Sequence, residues 1–194
     1  MGTLADRNPM GIEMRIKRKL TVLFIVLFGG LPVLAQGQAQ NETNTWVEQA
    51  QASDVGSVDG IVKAVYDVIS GPAGDQRDWD RFRGLFHPQG KLIPRGDDGT
   101  DFWTPEEYVE RVDRFFLENG FFEEEVGRRT ERYGNIAHVF STYTSKRTLE
   151  DAEPFARGIN SMQFVFEDGR WWVVSIFWQG ETDEFPLPDV YLEP

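Results

Sequence analysis

Between Phe121 and Gly180 the chain carries four long segments of β character separated by turn signals, and this constrains its fold more than any other feature. The segments read as Phe121–Tyr133, Asn135–Lys146, Ala156–Phe166 and Arg170–Gly180. Gly134-Asn135 and Glu167-Asp168-Gly169 supply tight turns, and Leu149–Glu153 is a longer, carboxylate-rich loop. Such a series predicts a four-stranded antiparallel meander. Strands of this length curl strongly, so one face becomes concave and must be covered by something else.

The cover is legible upstream. Val58, Ile61, Val62, Val65, Tyr66 and Ile69 fall on one helical face that Gly71-Pro72 closes. Trp79, Phe82, Leu85 and Phe86 repeat the spacing until His87-Pro88 stops it. A short strand, Lys91–Pro94, and the loop RGDDGTD follow. Thr104-Pro105-Glu106-Glu107 then gives a capping box with proline at the first helical position. That third helix carries Tyr108, Val112, Phe115 and Phe116 on one face and stops at Asn119-Gly120. The expectation is an α+β, cone-shaped fold of three N-terminal helices packed on a strongly curved antiparallel sheet.

The ends read differently. Arg15, Lys17, Arg18 and Lys19 precede the apolar run Leu20–Phe28, then Gly-Gly-Leu-Pro and Val33-Leu34-Ala35. This is the pattern of a secretory signal peptide over residues 1–35, with cleavage expected after Ala35, or else Ala39, and the true start at Met14. The apolar run is too short to span a bilayer, so no stable membrane anchor is expected after cleavage. Residues 36–56 read as a flexible polar leader, 57–181 as the folded domain and 182–194 as an acidic extended tail. The protein is therefore expected outside the cytoplasm, periplasmic or secreted. Removing residues 1–35 takes five of 20 Lys/Arg and two of 32 Asp/Glu, moving the net charge from −12 to −15. A domain this acidic repels nucleic acid and anionic lipid. Cysteine is absent, so neither disulfides nor thiolate chemistry contribute.

The order of elements resembles the nuclear transport factor 2-like superfamily, in particular SnoaL-like and ketosteroid-isomerase-like domains. The resemblance covers about Val58 to Gly180. It is carried by Tyr66 followed by Gly74–Trp79 (G-x-x-x-D-W), by Leu85–Pro88 (LFHP), by FVFEDGRWWV and by the closing SIFW. It implies a cone with a pocket between sheet and helices, commonly dimeric through the sheet's outer face, and no single chemistry. Steroid isomerases of the family use a helix tyrosine, a strand carboxylate base and a second, protonated acid. The tyrosine aligns with Tyr66, but the base position falls on Pro94 and the acid position on Met162. Isomerase chemistry of that kind is disfavoured.

Strand alternation in the family frame places Ser141, Tyr143, Ser145, Gly158, Asn160, Met162 and Phe164 on the concave face. From the last strand, Trp172, Val174, Ile176 and Trp178 are expected to face the cone, and Trp171, Val173 and Phe177 to face outward. The candidate ligand-binding residues are Tyr66, Ser141, Tyr143, Asn160, Met162 and Trp178, around a small apolar organic molecule. Tyr66 is either a donor to a ligand oxygen or a core tyrosine bonded to Asn160 or to a backbone carbonyl. The candidate catalytic residues are Tyr66 and His87. His87 at a helix end also fits a solvent-facing terminus. His138 and Arg157 fall on the outer face. No metal site and no cofactor motif are expected, since Asp97, Asp98 and Asp101 lack calcium-loop spacing. With Phe140, Val165 and Phe177 also on it, the outer face is apolar enough to predict a homodimer. Three functions stay open: a small-molecule-binding domain, a cofactor-free hydro-lyase, isomerase or cyclase, and a dimeric interaction module whose cone is filled.

Overall fold

The computed structural model describes residues 51–192. The expected signal peptide, and the leader up to residue 50, lie outside the described residues. A one-turn helix α1 (Ala52–Val55) leads into α2 (Val58–Ile69) and α3 (Trp79–Leu85). Strand β1 (Phe86–Gly96), the short β2 (Gly99–Thr100) and helix α4 (Pro105–Asn119) follow. The meander then runs through β3 (Phe122–Tyr133), β4 (Ile136–Lys146), β5 (Ala156–Glu167) and β6 (Arg170–Gly180). A 3-10 turn at Asp189–Tyr191 follows. The strands form one open sheet in the order β2-β1-β6-β5-β4-β3.

The local signals act where expected. Ser57 caps α2, its hydroxyl accepting from Gly60 N at 3.0 Å, and eight of the helix's residues are buried. Thr104 and Glu107 form the reciprocal capping box of α4. Gly120 ends α4 at φ 67°, a conformation that disfavours any side chain. At the β5–β6 hairpin Asp168 and Gly169 both take positive φ, 52° and 80°, as the primed turn requires. Between α2 and α3 the buried Arg77 donates to four backbone carbonyls: Ile69 at 3.0 Å, Pro72 at 3.3 Å, Asp75 at 2.6 Å and Gly71.

Two features of the sheet depart from expectation. First, the sheet is mixed: β1 is longer than Lys91–Pro94 and pairs parallel with β6, Leu92 opposite Ile176 and Pro94 opposite Trp178. Its register breaks between Phe86 and Lys91, where Pro88 cannot donate to a ladder. Second, β6 carries a bulge. Gln163 pairs with Ser175 but Phe164 pairs with Val173, so Val174 is the extra residue. One added residue reverses which face every side chain before it meets. The outward expectation for Trp171 and Val173 is therefore corrected: both lie in the core, 2% and 0% exposed, opposite Phe166 and Phe164. The cone-facing expectation for Trp172 and Val174 is corrected with it. Trp172 turns to the other face, covered by the Arg170 guanidinium at 3.8 Å and edge-on to His87, and Val174 is 37% exposed. Beyond the bulge the alternation holds, Ile176 and Trp178 facing the cone and Phe177 standing 44% exposed outside.

The tail lies against the outer face of β3 and β4. Thr142 Oγ1 donates to the Tyr191 carbonyl at 2.6 Å, and Arg129 donates to that of Val190 at 3.0 Å. The Tyr191 ring meets Phe140 edge-on. Arg157 on the same face pairs with Glu181. Among the described residues no helix is long and apolar enough to cross a membrane, and no group of His, Cys, Asp and Glu is placed to hold a metal ion.

Candidate functional site

The site is built where the end of α2 meets the start of β3. Ser70, the C-cap of α2, donates to the Tyr66 carbonyl at 2.8 Å and accepts from the backbone N–H of Glu123 at 3.0 Å. Gly71 and Phe121 exchange backbone hydrogen bonds beside it. β3 is an edge strand, so these contacts are what fix its first residues against the helix. In the β3–β4 register Glu123 lies opposite Ser145 and Glu125 opposite Tyr143, with a bulge just beyond, between Glu125 and Gly127. Both glutamates share the inward face with Phe121.

Glu123 is the group that the sequence expectations missed. Its carboxyl accepts from Ser145 Oγ at 2.9 Å and, at the long distance of 3.4 Å, from Asn160 Nδ2. Among the described residues no Lys or Arg pairs with it. The residue keeps some exposed surface, yet burial of the carboxyl disfavours its charged form strongly enough to push its pKa up to about 7, against the two hydrogen bonds that pull it down. The signal available in the sequence was the alternation itself: if Phe121 faces inward, so do Glu123 and Glu125. The adjacent Phe122 leaves that choice of face ambiguous, and a run of three glutamates reads as a solvated edge.

Asn160 links this carboxyl to Tyr66, giving its second amide hydrogen to Tyr66 Oη at 3.1 Å. Tyr66 Oη and Ser141 Oγ lie 2.7 Å apart, and Ser141 donates in turn to Glu125. Because Ser141 spends its hydrogen on Glu125, the shared hydrogen between the two hydroxyls comes from Tyr66. Tyr66 thus accepts from Asn160 and donates to Ser141, which satisfies it within the protein. Glu125 is held by Arg128, which also reaches Asp59 at the surface.

Tyr143 and Tyr108 differ from Tyr66. Both are buried in the core, yet neither hydroxyl has a hydrogen-bond partner among the described residues. Neither is wholly sealed either, since Arg147 Nη1 is the only fully enclosed side-chain atom lacking one among the described residues. Burial first, and the nearby Glu123 charge second, raise the pKa of Tyr66, Tyr108 and Tyr143, so all three stay protonated donors. The Tyr143 ring lies across Gly158 on β5, where a Cβ would come within 2.5 Å of the phenol oxygen and 2.4 Å of the Gln179 carbonyl. Gly158→Ala is expected to push the phenol aside and lower stability by about 2 kcal/mol. Thermal denaturation and the Tyr143 ring resonances would show it.

The remaining candidates fall in distinct places. Trp178 pairs with Asn160 in register and stands half-buried, its ring meeting Trp103 at 6.1 Å and Tyr108 at 6.4 Å, both edge-on. Met162 is fully enclosed between Val139 and Ile176 in the core. His87 lies elsewhere on the sheet, its Nδ1 accepting from Gln89 N, its Nε2 3.7 Å from Glu167, its ring against Trp172. Tyr66, Ser141, Asn160 and Tyr143 are brought together around Glu123, with Trp178 beside Asn160; Met162 and His87 are not part of that cluster. A surface groove of about 430 Å³ along Glu153–Arg157 and Glu181 shares no residue with it.

The same architecture recurs in solved structures. A protein of unknown function with a cystatin-like fold from Nostoc punctiforme matches at 13% identity and a TM-score of 0.52, over 65% of this chain and 90% of its own. An uncharacterised cystatin-like protein from Caulobacter vibrioides matches at 15% identity and 0.51, over 66% and 89%. A nuclear transport factor 2-like superfamily protein from Salmonella enterica matches at 13% identity and 0.45, over 75% and 94%. The chain shares the cystatin-like α+β fold of the first two. At these identities the likeness concerns the fold alone and says nothing of a ligand. No family model and no curated protein matches the chain.

Proposed function

We propose that the protein binds a small, largely apolar organic molecule in its cone, holding the molecule's polar end against Glu123 and the hydroxyls of Tyr108 and Tyr143. The observation that carries this reading is Glu123. A buried carboxyl with no cation beside it among the described residues costs stability, and groups kept at such cost mark functional sites. The two tyrosine hydroxyls without protein partners supply the donors a bound oxygen or nitrogen would use. The signal-peptide pattern of residues 1–35 supports binding outside the cytoplasm.

A second reading, cofactor-free proton transfer, is favoured by one specific observation. With a pKa of about 7, Glu123 is present in both protonation states near neutral pH, the condition a general acid–base group needs. In that reading Glu123 takes a proton from the bound molecule and returns it. Tyr143 then donates to the oxygen where negative charge develops. Both readings share the site. Native mass spectrometry of protein purified from its own host tests them: a non-covalent adduct on the order of a few hundred daltons is expected, lost on denaturation. Protein that always arrives at the bare chain mass would contradict the binding reading.

A further inference from the structure

We infer that the polar end of the molecule held in the cone is a protonated amine. The inference rests on the cone-binding reading above and adds the ligand's charge to it. Three observations point the same way. The first is the Glu123 carboxyl itself. Its only close partners among the described residues, Ser145 and Asn160, are neutral donors that orient it without supplying positive charge. A cation arriving beside it would provide the compensation that the protein does not, and in a partly desolvated site that attraction is far stronger than in water.

The second is the ring cluster. Trp103, Tyr108 and Trp178 meet at centroid distances of 6.1 to 6.5 Å with their planes turned against one another. Aromatic faces attract cations, and this cluster already holds one on its flank: the Arg111 guanidinium lies 5.0 Å over the Trp103 ring. Trp178 joins the rings to the carboxyl, since it lies opposite Asn160, whose amide donates to Glu123. The third is long-range. A chain of net charge −12 draws cations toward its surface and repels anions.

The alternatives fit less well. A carboxylate or phosphate ligand would meet the Glu123 charge, which no Lys or Arg of the described residues pairs with; the Arg111 guanidinium lies over the Trp103 ring instead. A neutral oxygen would use Tyr108 and Tyr143 but leave an ionised Glu123 uncompensated. The titratable groups that face Glu123 are Tyr66 from α2, Tyr108 from α4, Tyr143 from β4 and, on its own strand, Glu125, which Arg128 already neutralises. None of these titrates to a positive form. The expected affinity for an amine therefore rises with pH as Glu123 ionises, up to the point where the amine itself loses its proton.

The test compares three probes of one shape, benzylamine, benzyl alcohol and benzoate, by calorimetry and by the shift of the Trp178 indole N–H resonance. At about pH 8 benzylamine is expected to bind at least about tenfold more tightly than benzyl alcohol, with no saturable binding of benzoate. The preference should shrink toward about pH 5.5. It should persist in about 0.5 M salt, which screens the surface charge but not a desolvated pair. Glu123→Gln should abolish the preference of amine over alcohol. Equal binding of amine and alcohol, or a preference that survives Glu123→Gln, would overturn the amine assignment while leaving the cone as the binding site. If no probe moves the Trp178 resonance, the cone-binding reading falls as well.

Discussion

Glu123→Gln is expected to stabilise the protein by roughly 3 kcal/mol at about pH 8 and to change little at about pH 4. The folded-state pKa of about 7 lies above the ordinary 4.5, so between those values the folded protein binds more protons than the unfolded chain. Stability contributed by this group is therefore undiminished below about 4.5. It falls as pH rises from there to about 7, and it stays low above that. Glutamine keeps the shape and can still accept from Asn160, while the Ser145 hydroxyl rotates to accept instead of donate. The comparison must be variant against parent at each pH. Asp54 and Glu181, held below the usual carboxylate range, add the opposite trend: Asp54 chiefly through its hydrogen bond from Arg81, Glu181 through bonds from Leu187 N and Arg157 that outweigh its burial. Denaturant unfolding of both proteins across the range reads the difference directly. A substitution that destabilises at alkaline pH would remove the basis for treating Glu123 as a strained functional group.

The second large effect is expected at Arg77. Its guanidinium lies buried between α2 and α3 and satisfies the carbonyls of Ile69, Gly71, Pro72 and Asp75, with the Phe116 ring 6.0 Å away. Burial lowers its pKa. Arg77→Ala strands several carbonyls that the turn cannot re-pair and is expected to cost about 3 kcal/mol. For a chain of this size that corresponds to a fall in Tm of roughly 10 °C. Arg77→Lys should recover little, because an ammonium cannot spread its donors in a planar fork. Since this turn also delivers Ser70 and Gly71 to β3, the Tyr108 and Tyr143 resonances should broaden in the variant. A thermal scan in which Arg77→Ala melts with the parent would show that the turn holds without its staple.

Much of this was legible in the sequence, and the residues show why. The Thr104-Glu107 capping box, the Ser57–Ile69 stripe and the Asp168-Gly169 turn are local signals, decided by neighbours within one helical turn or one hairpin. Strand alternation placed Ser141, Tyr143, Asn160 and Met162 inside because β4 and β5 pair without interruption from Ile136 to Ser145. It failed for Trp171 to Val174 because a single extra residue in β6 reverses the faces, and nothing local in RWWVVSIFW marks which residue is extra. The parallel pairing of β1 escaped for a related reason: it depends on an edge that β6 leaves open in space, far away in sequence. Glu123 combined both difficulties. Its inward direction is fixed by Ser70 and Gly71, some fifty residues upstream, and its charge made it read as surface.

The most direct measurement is a titration of the Glu123 side-chain carboxyl followed by its carbon-13 resonance. The carboxyl is predicted to titrate with a midpoint of about 7, and the Tyr108 and Tyr143 ring signals should report the same transition. A midpoint between about 4 and 5, the range of an ordinary solvated glutamate, would contradict the account of this site.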